Sequence, residues 1–228
     1  MPTDESELPM SLTLHLHPLA SYCHKTLIAF YENGISFTTN IVDLGNEASR
    51  SAFKKLWPVG KMPVLRDEAR DRTVPESSVI IEYLGKYYPG PIELIPSDPE
   101  EAWQVRLADR FYDLYVHDPL QRIVADRLRP AGQHDPFGVE QTRAALKAAY
   151  DIIETDMADR TWAAGDRYTL ADCAASPALF YANEVLPFED THRNVAAYFA
   201  RLKQRPSYAR VLREAEPYMH MFPRQNLA

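Results

Sequence analysis

The stretch "SLTLHLHPLASYCHKTLIAFYENGISFTTNIVDL", residues 11–44, decides how this chain is built. It opens in strict alternation, with Leu12, Leu14 and Leu16 facing one way and Thr13, His15 and His17 the other. That period of two is a strand with one apolar face, and Pro18 stops it. From Ser21 the pattern changes to a helix, with Ser21 as a plausible N-cap and Gly34 as the C′ residue that ends it. "ISFTTNIVDL" returns to strand. Two strands joined by one helix across so short a span form a parallel β-α-β unit.

Further along, "NEASRSAFKKLWP" reads as a polar helix, and Val64-Leu65 and "RDRTV" as strands turning at "DEAR" to make a hairpin. The segment "PESSVIIEYL", residues 75–84, begins with an acid and two hydroxyls before turning apolar at helical spacing. Capping explains such a start: a serine oxygen takes an orphan N–H and an acid suits the helix dipole. An anion site at the same turn, with Glu76 beside it to catch a cation, is the sharper reading. An amino acid headgroup carries both charges on one carbon. The small domain is therefore β-α-β-α-β-β-α, the element order of a thioredoxin fold.

The texture then changes. "PGPIELIPSDPE" carries four prolines and reads as a linker, and everything after it has helical period. The expected division is a tail over 1–10, an α/β thioredoxin-like domain over 11–89, a linker over 90–98 and an all-α helical domain over 99–228. A length of 228 residues suits two modest domains. A net charge of -7 argues against a nucleic-acid partner, and mean hydropathy of -0.37 against a membrane protein. The first ten residues, "MPTDESELPM", lack the apolar core of a secretory leader. With only Cys23 and Cys173 there is no disulfide framework, so a reduced, cytoplasmic setting is expected. The glycines form neither a dinucleotide-binding loop nor a P-loop nor a hydrolase elbow.

Three features carry a family likeness. In Lys61-Met62-Pro63-Val64-Leu65 a proline opens a strand. Strand entry explains it, and so does a cis Met62–Pro63 bond that turns the Met62 backbone outward to pair with an extended ligand. Glu76-Ser77 follows at the next helix start. In "GDRYTLADCAA", Thr169 and Asp172 form a Thr-x-x-Asp capping box, with Tyr168 and Cys173 at the staple positions. With these three in order across two domains, the chain resembles the cytosolic glutathione transferases, over nearly its whole length.

The resemblance implies glutathione as co-substrate, a homodimer, and conjugation of the glutathione thiolate to a small hydrophobic electrophile. It also implies who binds what. Glu76 takes the γ-glutamyl ammonium, Ser77 and the first-turn N–H groups take the carboxylate, and the Met62 backbone pairs with the cysteinyl amide. Lys61 is placed for the glycyl carboxylate, with Arg50 second.

The thiol activator is where this chain departs from the family. Aligned on Lys25, the usual activating serine or cysteine falls on Ala20. Ser21 is the first choice for the hydroxyl, as in the serine pair of zeta-like members, and Tyr22 and Cys23 are fallbacks. Cys23, near the start of the helix, opens a monothiol reductase route, and isomerisation of a maleyl-type double bond is a neighbouring variant. A non-catalytic glutathione-binding or protein-interaction module, with Ala20 recording a lost activator, is the competing class. Cys173 is expected in the core. His15 and His17 find no further ligands at fitting spacing, so no metal is expected. Trp103, Phe111, Tyr112 and Tyr115 form a stripe expected mostly between helices. Part of it, with His117 and Tyr22, is a candidate lining for the electrophile.

Overall fold

A computed structural model of the chain describes residues 11–224, so the tail expected over 1–10 lies outside the described residues. Two compact units meet between Ile92 and Glu93, a little beyond the start expected for the linker at 90.

The first unit holds β1 (Leu12–Leu16), α1 (Ser21–Glu32), β2 (Thr38–Ile41), α2 (Glu47–Leu56), β3 (Val64–Asp67), β4 (Arg72–Pro75) and α3 (Ser77–Tyr87). The strands form one sheet in the order β2-β1-β3-β4. β1 runs parallel to β2 and antiparallel to β3, and β4 closes the hairpin. Leu12, Leu14 and Leu16 are buried, as the alternation predicts, and each removes an apolar side chain from water for about 1.5–3 kcal/mol. Helix α1 is buried at Ser21 and continuously from Cys23 to Phe30. Gly34, with φ of 59°, makes the left-handed turn after it.

The hairpin is tied to α3 by a buried carboxylate. Asp67, at the end of β3, accepts from Tyr83 Oη at 2.7 Å and Tyr88 Oη at 2.6 Å. Burial pushes this carboxyl upward, but the hydrogen bonds from Tyr88, Tyr83 and the Arg70 N–H outweigh it and hold the group below its ordinary value. Arg70 lies over the rings of Tyr87 and Tyr88, at 5.0 and 4.8 Å from their centroids. These contacts fix where α3 stands relative to β3 and β4.

The second unit is helical: α4 (Pro99–Phe111), a π-helical segment (Tyr112–His117), α5 (Asp118–Arg127), α6 (Pro136–Asp156), α7 (Leu170–Val185), α8 (Arg193–Gln204), α9 (Pro206–Ala215) and a 3₁₀ turn (Glu216–Met221). The periodicity reads residues 100–129 as one helix, and the structure breaks it. Pro119 has no N–H and its ring would strike the carbonyl four residues back, and the widened turn before it absorbs that conflict. Helix α7 is the centre of the unit, buried almost throughout and packed against α4, α5 and α8.

Candidate functional site

The register of the sheet gathers the predicted residues at one end of it. Val64 pairs with Pro75, so Met62-Pro63, just before Val64, and Glu76, just after Pro75, lie side by side. His15 pairs with Val64 on the other side, so the chain leaving β1 toward α1 passes the same Met62-Pro63 step.

At the start of α3, Glu76 is the N-cap residue with φ of 69° and ψ of 119°, and it makes no side-chain cap bond. Capping by the acid is therefore not what the structure shows. A non-glycine residue at such a φ stores roughly 1–3 kcal/mol of strain. Its carbonyl accepts from the Ile80 N–H at 2.8 Å, which starts the helix, while the side chain is exposed. Ser77 follows, buried to 6% exposure. The Ser78 hydroxyl accepts from Lys25 Nζ at 2.9 Å, so the second serine faces α1.

The Met62–Pro63 bond is cis. The Met62 side chain packs against the cluster of Val42, Phe53 and Val64, together with Leu56 and Trp57. Its N–H and C=O make no hydrogen bond among the described residues. The side chain anchors the segment and leaves the main chain as an edge for pairing. Gly60, with φ of 71°, turns the chain into this step. Pro63 precedes β3, where no ladder donor is needed.

At the start of α1 the N-cap is Ala20, with no side-chain cap bond, and Ser21 is the first helical residue. The capping role expected for Ser21 is corrected: its hydroxyl stands one position too late for it. Ser21 is 5% exposed, so it reaches only an atom seated directly against the helix start. Tyr22 is half-buried.

Cys23 fares differently. It is 0% exposed, and burial pushes its thiol up to about 12, against a partial pull downward from the His17 backbone. A thiol so placed is neither ionised at neutral pH nor reachable, and this removes the physical basis for the monothiol route.

Lys61 is exposed beside Met62. Arg50 is occupied, donating to the Leu44 carbonyl at 2.8 Å and pairing with Glu47. Sequence reasoning missed Lys25 except as an alignment anchor. The sequence carried no signal for its burial, because Ser21, His24 and Thr26 stand around it in α1 as they would on a solvated face.

In the second unit the aromatic stripe divides. Tyr112 and His117 are buried, at 3% and 2% exposure, whereas Trp103 and Tyr115 are half or more exposed, against the expectation of interhelical core. Trp103, Leu107, Phe111, Ile153, Asp156 and Arg160 line an open cavity of about 470 Å³, with Tyr112 also on its wall. Tyr115 and His117 do not line it. Cys173 is fully buried, as expected, with Tyr168 Oη 3.9 Å from its sulfur. Thr169 and Asp172 form the capping box.

The comparisons with known proteins bear on the family and the fold. Residues 20–86 match the glutathione S-transferase N-terminal domain, and residues 111–206 the glutathione S-transferase C-terminal domain. The chain belongs to the glutathione S-transferase family. A glutathione S-transferase of Pseudomonas putida is 26% identical over 92% of this chain and 96% of its own. A stringent starvation protein A homolog of Histophilus somni is 28% identical over 90% of this chain and 92% of its own. A crystal structure of a glutathione S-transferase of Methylobacillus flagellatus with glutathione bound superposes with a TM-score of 0.81, at 25% identity, over 88% of this chain and 98% of that one. The fold is the thioredoxin-like and helical pair of that family. Relatives of nearly equal identity carry different functional names, so the activity has to be argued from the site.

Proposed function

We propose that the protein is a glutathione transferase whose first unit binds glutathione and activates its thiol toward a small apolar electrophile. The observation that carries this reading is the uncapped, strained start of α3, with Glu76 exposed beside a cis Met62–Pro63 step. Strain held at a residue whose side chain does nothing for its own helix calls for a ligand as its explanation. The γ-glutamyl ammonium binds Glu76, and its carboxylate binds Ser77 and the first-turn N–H groups, where dipole and hydrogen bonds act together. The cysteinyl amide pairs with the Met62 main chain, and Lys61 meets the glycyl carboxylate. This pose directs the sulfur toward the start of α1. There the Ser21 hydroxyl donates to it and favours the thiolate over a thiol with pKa near ~8.5. The thiolate attacks the electrophilic carbon, the C–S bond forms, and the leaving group departs with its electron pair. The thiol proton goes to solvent. The reading gives Cys23 no part.

Isomerisation of a maleyl-type double bond uses the same thiolate, added and then released. A binding module without turnover is the second reading, favoured by Ala20 at the usual activator position and by a relative named for stringent starvation. Conjugation of an activated chloronitroarene, together with calorimetric titration of glutathione, separates the two. A transferase turns over, and Ser21→Ala lowers kcat by roughly 10²-fold while leaving glutathione affinity within about twofold. Glutathione binding with no turnover by the wild-type protein favours the module, and an unchanged kcat in Ser21→Ala overturns the role of Ser21. A homodimer is expected, and sedimentation at micromolar concentration checks it.

A further inference from the structure

Strand β4 ends the sheet, so its outer edge meets no strand among the described residues. What that edge offers follows from the register. The Glu68 N–H donates to the Ser11 carbonyl at 2.8 Å. Alternation along β3 therefore turns the main-chain groups of Arg66 and Val64 toward β1, and those of Asp67 and Leu65 toward β4. Asp67 pairs with Arg72 and Leu65 with Val74, so the Thr73 N–H and C=O point out of the sheet. Pro75, the next outward residue, has a carbonyl but no N–H to offer. Beside this edge lies a groove of about 650 Å³, whose walls include Arg72, Val74, Val79, Tyr83, Lys86 and Tyr87. Arg72 and Val74 share a face of the sheet with Asp67, and Tyr83 of α3 donates to that carboxylate, so this is the face that α3 covers. Val79 is 51% exposed. Charge on the groove is unequal. Asp71 is matched by Arg66, which leaves Arg72 and Lys86 against Glu82. Arg72 has no ion pair among the described residues, and Lys86 lies over the Tyr87 ring, 5.2 Å from its centroid.

We propose that the β4 edge and its groove dock an extended segment of a partner protein, added as an antiparallel strand with the side-chain order apolar, any, acidic. In such a strand one residue exchanges both main-chain bonds with Thr73. Its two neighbours then project onto the α3 side, because successive side chains alternate. The antiparallel direction sets the preceding neighbour by Val74, where an apolar side chain covers Val79 and Tyr83. The following neighbour falls by Arg72, with Lys86 on the same groove, and a carboxylate there meets the excess of positive charge. A second copy joined edge to edge would bring the cations of both copies together, and like charge opposes that pairing. The surface uses neither Glu76 nor Met62, so the proposal stands apart from the glutathione reading.

The test is fluorescence anisotropy of the full chain with a short labelled peptide centred on Val-Thr-Glu. Its Val-Thr-Lys counterpart and a form N-methylated at the central threonine are measured beside it. The expected result is saturable binding of the Val-Thr-Glu peptide, weakened about tenfold when lysine replaces the acid. N-methylation removes a main-chain donor and blocks close approach, and weakens binding about tenfold or more. Thr73→Pro does the same from the protein's side, and keeps the β3 ladder because the lost N–H points outward. Arg72→Glu reverses the preference, so that the lysine peptide binds the tighter, and Val79→Asp weakens both peptides. No saturable binding to the wild-type chain makes Arg72 and Lys86 mere guards of an open edge and overturns the proposal. So does equal binding of the N-methylated peptide, or an unchanged preference in Arg72→Glu. If Thr73→Pro does not fold, the N-methylated peptide reads the same pairing on the wild-type chain. Sedimentation supplies the last arm. A wild-type dimer that Arg72→Glu or Val79→Asp dissociates means that a second copy covers this face, and that too overturns the proposal.

Discussion

Two helices in this molecule begin in opposite ways. Helix α7 closes its own start. The Asp172 carboxylate accepts from the Thr169 N–H at 2.8 Å, from the Ala163 N–H at 2.8 Å and from Tyr198 Oη at 2.6 Å, and it is 0% exposed. Helix α3 leaves its start open: Glu76 caps nothing, sits at positive φ and faces outward. Both are acid-and-hydroxyl starts in the sequence, and both read as caps at first. The difference is what the acid is for. One carboxylate ties three parts of its own unit together. The other is held at a conformational cost without serving its own helix, which is what the proposed ligand-binding role of Glu76 accounts for.

The sharpest way to break the contrast is to delete both acids. Asp172→Ala strands the Ala163 and Thr169 N–H groups and the Thr169 and Tyr198 hydroxyls in the core, where each buried unsatisfied group costs about 1–3 kcal/mol, so a loss of roughly 3–5 kcal/mol or more is expected by urea denaturation. Many marginally stable domains would not survive that loss. Glu76→Ala is expected to leave the urea midpoint unchanged or slightly raised, and to weaken glutathione binding about tenfold or more. If Glu76→Ala destabilises the fold as Asp172→Ala does, the two starts are alike and the contrast is gone.

How far this was legible in sequence follows the same division. The period of two in Leu12, Leu14 and Leu16, the break at Pro18 and the Thr-x-x-Asp box are local patterns, and the structure carries them out as read. The cis step at Met62-Pro63 was one of two readings that a proline opening a strand allows, and the family resemblance rather than the local pattern favoured it. What stayed hidden depends on groups distant in sequence. Ser78 meets Lys25 across 53 positions, and only the packing of α1 on α3 reveals it. The π-helical segment was concealed because residues 100–129 keep a helical rhythm through Pro119, and periodicity does not register a widened turn. Cys23 looked reactive for its place near a helix start, but burial overrides the dipole there.

A finer test of the open start is to relieve it. Glycine adopts φ near 69° without a Cβ penalty, so Glu76→Gly is expected to stabilise the first unit by about 1 kcal/mol relative to Glu76→Ala. Glutathione affinity stays as low as in Glu76→Ala, because the carboxylate is missing in both. Thermal melting of the two variants side by side reads the difference. No gain from glycine means that the backbone at this position is unstrained, and the argument from strain to ligand loses its footing.

The smallest expected effect separates two buried carboxylates by the sign of their response to acid. Asp67 is held below its ordinary value of 3.8. Its contribution is complete above that value and is lost as pH falls through the lower folded-state value. Asp172 is shifted the other way, because desolvation outweighs its hydrogen bonds and raises it. The folded state then holds that proton more tightly than the unfolded chain does. Stability from this group is full below 3.8 and declines as pH rises through the folded-state value. Each group tilts the curve of stability against pH by at most about 1.4 kcal/mol per pH unit. Asp67→Asn is therefore expected to flatten the fall in stability toward low pH, and Asp172→Asn to steepen it, as read by urea midpoints between pH about 3 and 6. Slopes that move in the same direction would mean that the two carboxylates are held alike, and that hydrogen bonding rather than desolvation governs the start of α7.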